Sequence, residues 1–283
     1  MNTKSKNKDP YSSTDQLDAE TLETVASRLE NRGRDPYFKG IIDQYLSQLI
    51  RRSPNRVLEL GCGTGLVSRL LAKTDGFDGQ IVATDLSPGL IERASNLVAS
   101  DGSADIINCL AGDARDIALP ENSFDAVIAH TLVSHVPDVD AVFATVSRLL
   151  KSDGVVIICD GDFSSITLGG SNPPQGQQLA RAITEGMFTN PAVMRELPVI
   201  AKRHGLRVDN LVGNLLCEAG GARYFADLFP TLRVLLPKAG VASQAQADEW
   251  IDTQESDIAD SVFFGSMNFY TWTLTPASRP QGQ

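Results

Sequence analysis

The chain is poor in basic charge, in cysteine and histidine, and in long apolar runs. Its 25 Lys plus Arg stand against 35 Asp plus Glu, a formal net charge of −10 over 283 residues. Polyanion binding needs a basic stripe that releases counterions, and no such stripe occurs, so DNA, RNA and anionic lipid are excluded as expected partners. No run of about eighteen apolar residues exists, and Met1 to Asp15 is polar and lysine-bearing, without the apolar centre of a secretion signal. Neither a membrane span nor export is expected. Cys62, Cys109, Cys159 and Cys217 lie far apart, with no C-x-x-C pair and no zinc-type spacing to the three histidines. They read as reduced thiols of a cytoplasmic protein. What the chain does have is apolar side chain, 42% of residues, and 23 glycines, the usage of an ordinary globular protein. At this length roughly three quarters of the unfolded surface can be buried, so stability requires neither metal nor disulfide.

Leu22, Val25, Ala26 and Leu29 repeat at helical intervals before Gly33, and a second helix is expected from Pro36 through Leu49. From Arg56 onward, short apolar runs at 57–60, 81–84, 106–110, 126–129 and 155–159 alternate with amphipathic segments at 66–73, 88–100 and 139–150. Strands that are apolar on both faces, separated by helices, imply a parallel sheet covered on both sides. Beyond it, 162–174 reads as a loop rich in Gly, Ser and Pro. Helices are expected at 175–188, 192–204, 222–236 and 244–261, and strands at 206–216 and 263–274. The fold expected is α/β: a doubly wound, mostly parallel, seven-stranded sheet with helical lid insertions. It divides into a mobile tail plus helix over 1–35, which serves as lid or oligomer contact, a ligand-binding core over 36–160, and lid segments with completing strands over 161–283.

The sharpest local signal is Glu59-Leu60-Gly61-Cys62-Gly63-Thr64-Gly65, at the end of the first strand and opening a helix. Glycines at alternate positions allow a tight turn and close approach of a ligand, and the helix that follows offers free N–H groups. A ligand of nucleotide type belongs here. The dinucleotide fingerprint wants its third glycine where Leu66 stands, which disfavours NAD, and the lysine of a nucleoside-triphosphate loop is absent.

With Val57 to Gly65 in this form, followed in order by Thr84-Asp85-Leu86-Ser87, Gly112-Asp113-Ala114 and Phe124-Asp125-Ala126-Val127, the chain resembles the class I S-adenosylmethionine-dependent methyltransferases. The closest likeness is to their small-molecule branch, which includes the ubiquinone and menaquinone type. It covers about residues 37–159 and implies a Rossmann-like methyltransferase fold, S-adenosylmethionine as cofactor and S-adenosylhomocysteine as product. It places Asp85 on the ribose hydroxyls, Asp113 at the exocyclic amine of adenine, Leu86 and Ala114 against the adenine ring, and the backbone of Gly61, Gly63 and Gly65 beside the methionine part. Glu59, Cys62 and Gly112 belong to the same loops. A carboxylate suits a vicinal diol because a charged acceptor bonds more strongly than a neutral one. Taken singly, Asp85 could equally cap the helix starting at Pro88, and Asp113 a turn. For the cofactor's carboxylate the segment Arg32-Gly33-Arg34-Asp35-Pro36-Tyr37 is the candidate, with Arg34 favoured as a bidentate partner. Cys62 occupies a packing position and is not expected to react.

After the fourth strand comes His130-Thr131-Leu132-Val133-Ser134-His135-Val136-Pro137-Asp138. Ligands of open α/β sheets sit beyond the carboxyl ends of the strands, so this loop should border both cofactor and acceptor. His135, titrating near neutrality, is the leading candidate base. His130 is second, its backbone also facing the cofactor, and Asp162, with Asp160, offers a carboxylate alternative. No metal is expected, since the acidic residue that metal-dependent catechol methyltransferases carry after strand four is His130 here. The Asn/Asp-Pro-Pro-aromatic motif of nucleic-acid and protein-amide methyltransferases is missing. Tyr11, Phe163, Phe188, Tyr224, Phe225 and Phe229 fall in segments that would cover the ligand edge, which favours a small, mostly apolar metabolite as acceptor. Transfer should be direct and in line, aided by exclusion of water. The competing readings are a non-catalytic S-adenosylmethionine-binding regulator and a nucleotide-cofactor oxidoreductase. A homo-oligomer joined through the N-terminal helix is a further expectation.

Overall fold

Residues 9–277 are described by a computed structural model. The chain enters through a 3-10 segment, Pro10–Gln16, capped by the Asp9 carboxylate, which accepts from the Tyr11 N–H at 2.9 Å. Helix α1 (Ala19–Arg34) starts where Asp18 accepts from Thr21 N–H, and α2 (Pro36–Ile50) starts where Asp35 accepts from Tyr37 N–H beside a first-turn proline. These caps satisfy amide groups that have no partner within their own helix.

Strand β1 (Arg56–Leu60) then leads into α3 (Leu66–Ala72), β2 (Gln80–Asp85), α4 (Pro88–Ser100), β3 (Ile107–Ala111), β4 (Phe124–His130), α5 (Val139–Leu149) and β5 (Leu150–Gly169). After them come α6 (Pro173–Met187), α7 (Leu197–Arg203), β6 (Leu206–Gly220), α8 (Tyr224–Lys238), α9 (Gln244–Ala259) and β7 (Phe263–Pro276). One seven-stranded sheet results, in the order β3-β2-β1-β4-β5-β7-β6; the first five strands are parallel and β7 runs antiparallel to both its neighbours. This is the expected Rossmann-like methyltransferase architecture. Alternation along β1 shows why both faces are apolar: Val57 joins the core under α2 and α3, while Leu58 and Leu60 join the core under α5 and α7. No helix among the described residues is long and apolar enough to cross a membrane.

Three local expectations change. The segment 162–174 is not a loop throughout, because β5 continues to Gly169 and its Thr167, Leu168 and Gly169 pair with Ser266, Gly265 and Phe264 of β7. Ladder partners distant in sequence override the local Ser and Gly content. The helix expected over 192–204 is a short 3-10 turn, Val193–Arg195, followed by α7, whose first turn holds Pro198. The end of the expected mobile tail is an ordered element packed over the ligand edge; residues 1–8 lie outside the described part.

Candidate active site

The glycine loop between β1 and α3 is closed by Cys62 N–H donating to Thr84 carbonyl and Gly63 N–H donating to the Asp85 carboxylate, both at 2.8 Å. Gly61 and Gly63 have φ of +69° and +55°, where L side chains are strained, and a Cβ on either would lie 2.7 Å from a leucine methyl, of Leu132 and Leu29 respectively. The second oxygen of Asp85 accepts from Ser87 N–H at 2.9 Å. Burial raises its pKa, opposed by these backbone bonds. Glu59, behind the loop, accepts from the Ser68 N–H and hydroxyl, yet burial pushes its carboxyl up to about 7. Burial likewise raises the Cys62 thiol well above its ordinary range, which keeps it protonated and unreactive.

Helix α1 roofs this loop. Glu30 accepts from Thr64 hydroxyl and Arg69, Leu29 covers Gly63, and the Arg32 guanidinium donates to Thr131 Oγ at 2.8 Å. Arg32 has no carboxylate partner among the described residues, and burial, then the neighbouring Arg28 charge, lower its pKa. An unpaired, partly buried guanidinium calls for an anion.

The loop after β4 is braced from two sides. Buried Asp160 accepts from Ser134 N–H at 3.0 Å, and the Asn190 side chain donates to Val136 carbonyl at 2.6 Å. The bracing fixes His135. Its Nδ1 lies 3.0 and 3.2 Å from the two oxygens of Asp9. Burial alone would lower the His135 pKa; the Asp9 carboxylate, with Asp160, outweighs burial and the Arg32 charge and raises it. His130 contrasts with it: Nδ1 lies 3.1 Å from the Tyr45 hydroxyl, and burial plus Arg32 push its pKa down to about 3. It is a neutral imidazole and a poor proton acceptor near neutrality.

Two cavities meet at this loop. One, partly open to solvent, is walled by Gly61, Gly63, Asp85, Leu86, Ala114 and His130. The other is a mostly apolar chamber walled by Phe163 and Ile166 of β5, Ile183 and Met187 of α6, Phe188, and Tyr224 and Phe225 of α8. Phe163 and Phe188 stack with centroids 3.5 Å apart. Tyr11, Leu29, Arg32, Thr131 and His135 are walls of both cavities.

Most sequence-derived candidates therefore assemble: Glu59, Gly61, Cys62, Gly63, Asp85, Leu86, Gly112, Asp113, Ala114, His130 and His135 all border the first cavity. Gly65 does not line it but turns the chain into α3 at φ +74°. Asp113 is held by Arg115 through paired contacts of 2.6 to 3.0 Å at the rim. Two candidates lie elsewhere. Arg34 is exposed on α1, outside either cavity, and Arg32 stands where a guanidinium was expected. Asp162 is bound by Arg195 at 2.8 Å and borders neither cavity. Arg32 was legible in principle, because it continues the face of α1 marked by Val25 and Leu29 at helical spacing. Asp9 and Arg28 carried no local signal, their partners being remote in sequence.

Residues 58–158 match the family described as a methyltransferase domain. A 2-phytyl-1,4-naphtoquinone methyltransferase of Synechococcus elongatus is 36% identical over 106 residues, 38% of this chain and 46% of that protein. A sterol 24-C-methyltransferase of Aspergillus fumigatus is 32% identical over 124 residues, 43% of this chain and 32% of that protein. The matches thus span less than half the length of these relatives. Among solved structures, a SAM-dependent methyltransferase from Thiobacillus denitrificans in complex with S-adenosyl-L-homocysteine superposes with a TM-score of 0.51 at 17% identity, over 82% of this chain and 91% of that one. The segment 58–158 thus matches a methyltransferase-domain family, and the sheet order around it is that of the Rossmann-like fold.

Proposed function

We propose that the chain transfers a methyl group from S-adenosylmethionine to a small, mostly apolar metabolite and releases S-adenosylhomocysteine. The observation that carries this reading is the meeting of a glycine-lined cavity with an aromatic chamber at His135 and Arg32. The residues fit the cofactor. The Gly61 and Gly63 cradle is one that any Cβ would fill, Asp85 presents a carboxylate at the cavity wall, and Leu86 and Ala114 give apolar faces for adenine. Asp113 stands at the rim for the adenine amine, and Arg32 supplies the charge for the amino-acid carboxylate. When bound, the cofactor would supply a methyl group activated on a sulfonium, ready for direct in-line transfer to the acceptor.

The chain's own residues orient and dry the site. Tyr11, Leu29 and Thr131 wall both cavities, and the aromatic walls of the second exclude water from it, so alignment provides much of the acceleration. The quinone and sterol named for the relatives support an apolar acceptor. The test is calorimetric titration with S-adenosylmethionine and S-adenosylhomocysteine, repeated with Asp85→Ala. Low-micromolar binding lost on substitution is expected, and would be followed by screening acceptors for the mass gain of one methyl group. Absence of heat with both compounds rejects the reading.

A further inference from the structure

Asp9 is 2% exposed and its carboxylate works in two directions. One oxygen accepts from Thr189 N–H at 2.8 Å and Thr189 hydroxyl at 3.0 Å, which ties residues 9–16 to the segment after α6. The same carboxylate holds His135 Nδ1 at 3.0 Å. Nε2 of His135 has no hydrogen bond among the described residues, and the ring is a wall of both cavities. Tyr11, in the same segment, packs its ring 4.8 Å from the imidazole and also walls both cavities.

Building on the methyl-transfer reading, we infer that Asp9 is a positioning residue that holds His135 with its proton on Nδ1 and leaves Nε2 free to take a proton from the acceptor. The acceptor's X–H proton passes to Nε2, the bonding pair stays on the acceptor atom as the attacking pair, and the proton leaves to solvent from the imidazolium. Asp9 balances the imidazolium charge meanwhile. The other ionisable groups facing the ring are Asp160 from β5, Arg32 from α1 and the Tyr11 phenol, which burial keeps protonated. Phe163 and Phe188 close the remaining sides with apolar surface. Because the carboxylate arrives on the N-terminal segment, His135 acquires its partner only when that segment is seated.

The chain contains three histidines, so their ring signals can be followed by NMR in the full-length protein, with His135 identified by its loss in His135→Gln. The wild-type ring should titrate above 6.5, the ordinary value. In Asp9→Asn burial remains without the charge, and the midpoint should fall by about one pH unit or more, a tenfold loss of proton affinity. Asp9→Glu should restore part of the shift. A midpoint in Asp9→Asn within about 0.3 units of wild type overturns the inference. Calorimetry with S-adenosylhomocysteine on the same samples separates the two readings. Binding by wild type with no titration shift in Asp9→Asn rejects the role of Asp9 alone, and no binding by wild type rejects methyl transfer.

Discussion

The glycine-lined cavity is walled largely by the turns that follow β1, β2, β3 and β4, with Glu59, Asp85 and Asp113 as its carboxylates. The aromatic chamber is walled by side chains from α1, α6, α8, β5 and β7, scattered over the chain from Tyr11 to Met267. Backbone turns recognise a ligand that never changes, because any substitution that alters them also disturbs the sheet. Side chains on separate helices can be exchanged one at a time without touching the sheet. On the methyl-transfer proposal, that difference suits the first cavity to the constant ligand, the cofactor, and the second to the variable one, the acceptor.

Four perturbations break or sharpen that contrast. The largest is Phe225→Ala: this ring is fully buried beside the chamber, so its loss should cost about 3–5 kcal/mol of stability by chemical denaturation. S-adenosylhomocysteine affinity should stay within about threefold, because nothing in the glycine loop moves. Next is Glu59→Gln. A carboxyl that titrates at about 7 when folded, against 4.5 ordinarily, favours the fold while protonated, so wild-type stability should decline as pH rises from about 4.5 through 7. Urea unfolding at pH 5 and 8.5 should show that decline, with a ceiling of about 3 kcal/mol, and the Gln variant should lack it. Third, Asp85→Ala should weaken S-adenosylhomocysteine about 100-fold in calorimetry, the equivalent of two charge-assisted hydrogen bonds, while near-ultraviolet dichroism of the aromatic chamber is unchanged. The smallest effect is that of Asp227→Asn. It removes the 3.0 Å ion pair between α8 and Arg28, which is 7% exposed against 35% for Asp227. Solvent screening on the Asp227 side limits the loss to about 0.5–1 kcal/mol, and hydrogen exchange should rise in α8 without a change in cofactor affinity.

How much was legible in the sequence follows the same divide. Gly61 to Gly65, Asp85 and Asp113 could be read because each sits at a strand end fixed by local periodicity, and the doubly wound, mostly parallel sheet follows from short apolar runs between helices. Arg34 was preferred to Arg32 because both lie in one charged segment, and only the helical face distinguishes them. Asp162 looked like a free carboxylate after the fifth strand, but Arg195, remote in sequence, claims it. The segment 162–174 read as a loop because its Ser and Gly are poor strand formers, whereas the ladder with β7 supplies the hydrogen bonds that decide its conformation. Asp9 fell in a polar stretch with no periodicity, and nothing near it in sequence hints at His135 or Thr189.

The Asp9 carboxylate closes chain intervals of 126 residues to His135 and 180 residues to Thr189. It precedes both partners in the chain, so neither contact can form before His135 and Thr189 have been made. Closing such long intervals carries an entropic cost, and non-local contacts of this kind form slowly. A ribosome-bound fragment ending before Thr189 therefore leaves the N-terminal segment without that anchor, and the segment is secured only once the chain beyond α6 has been made.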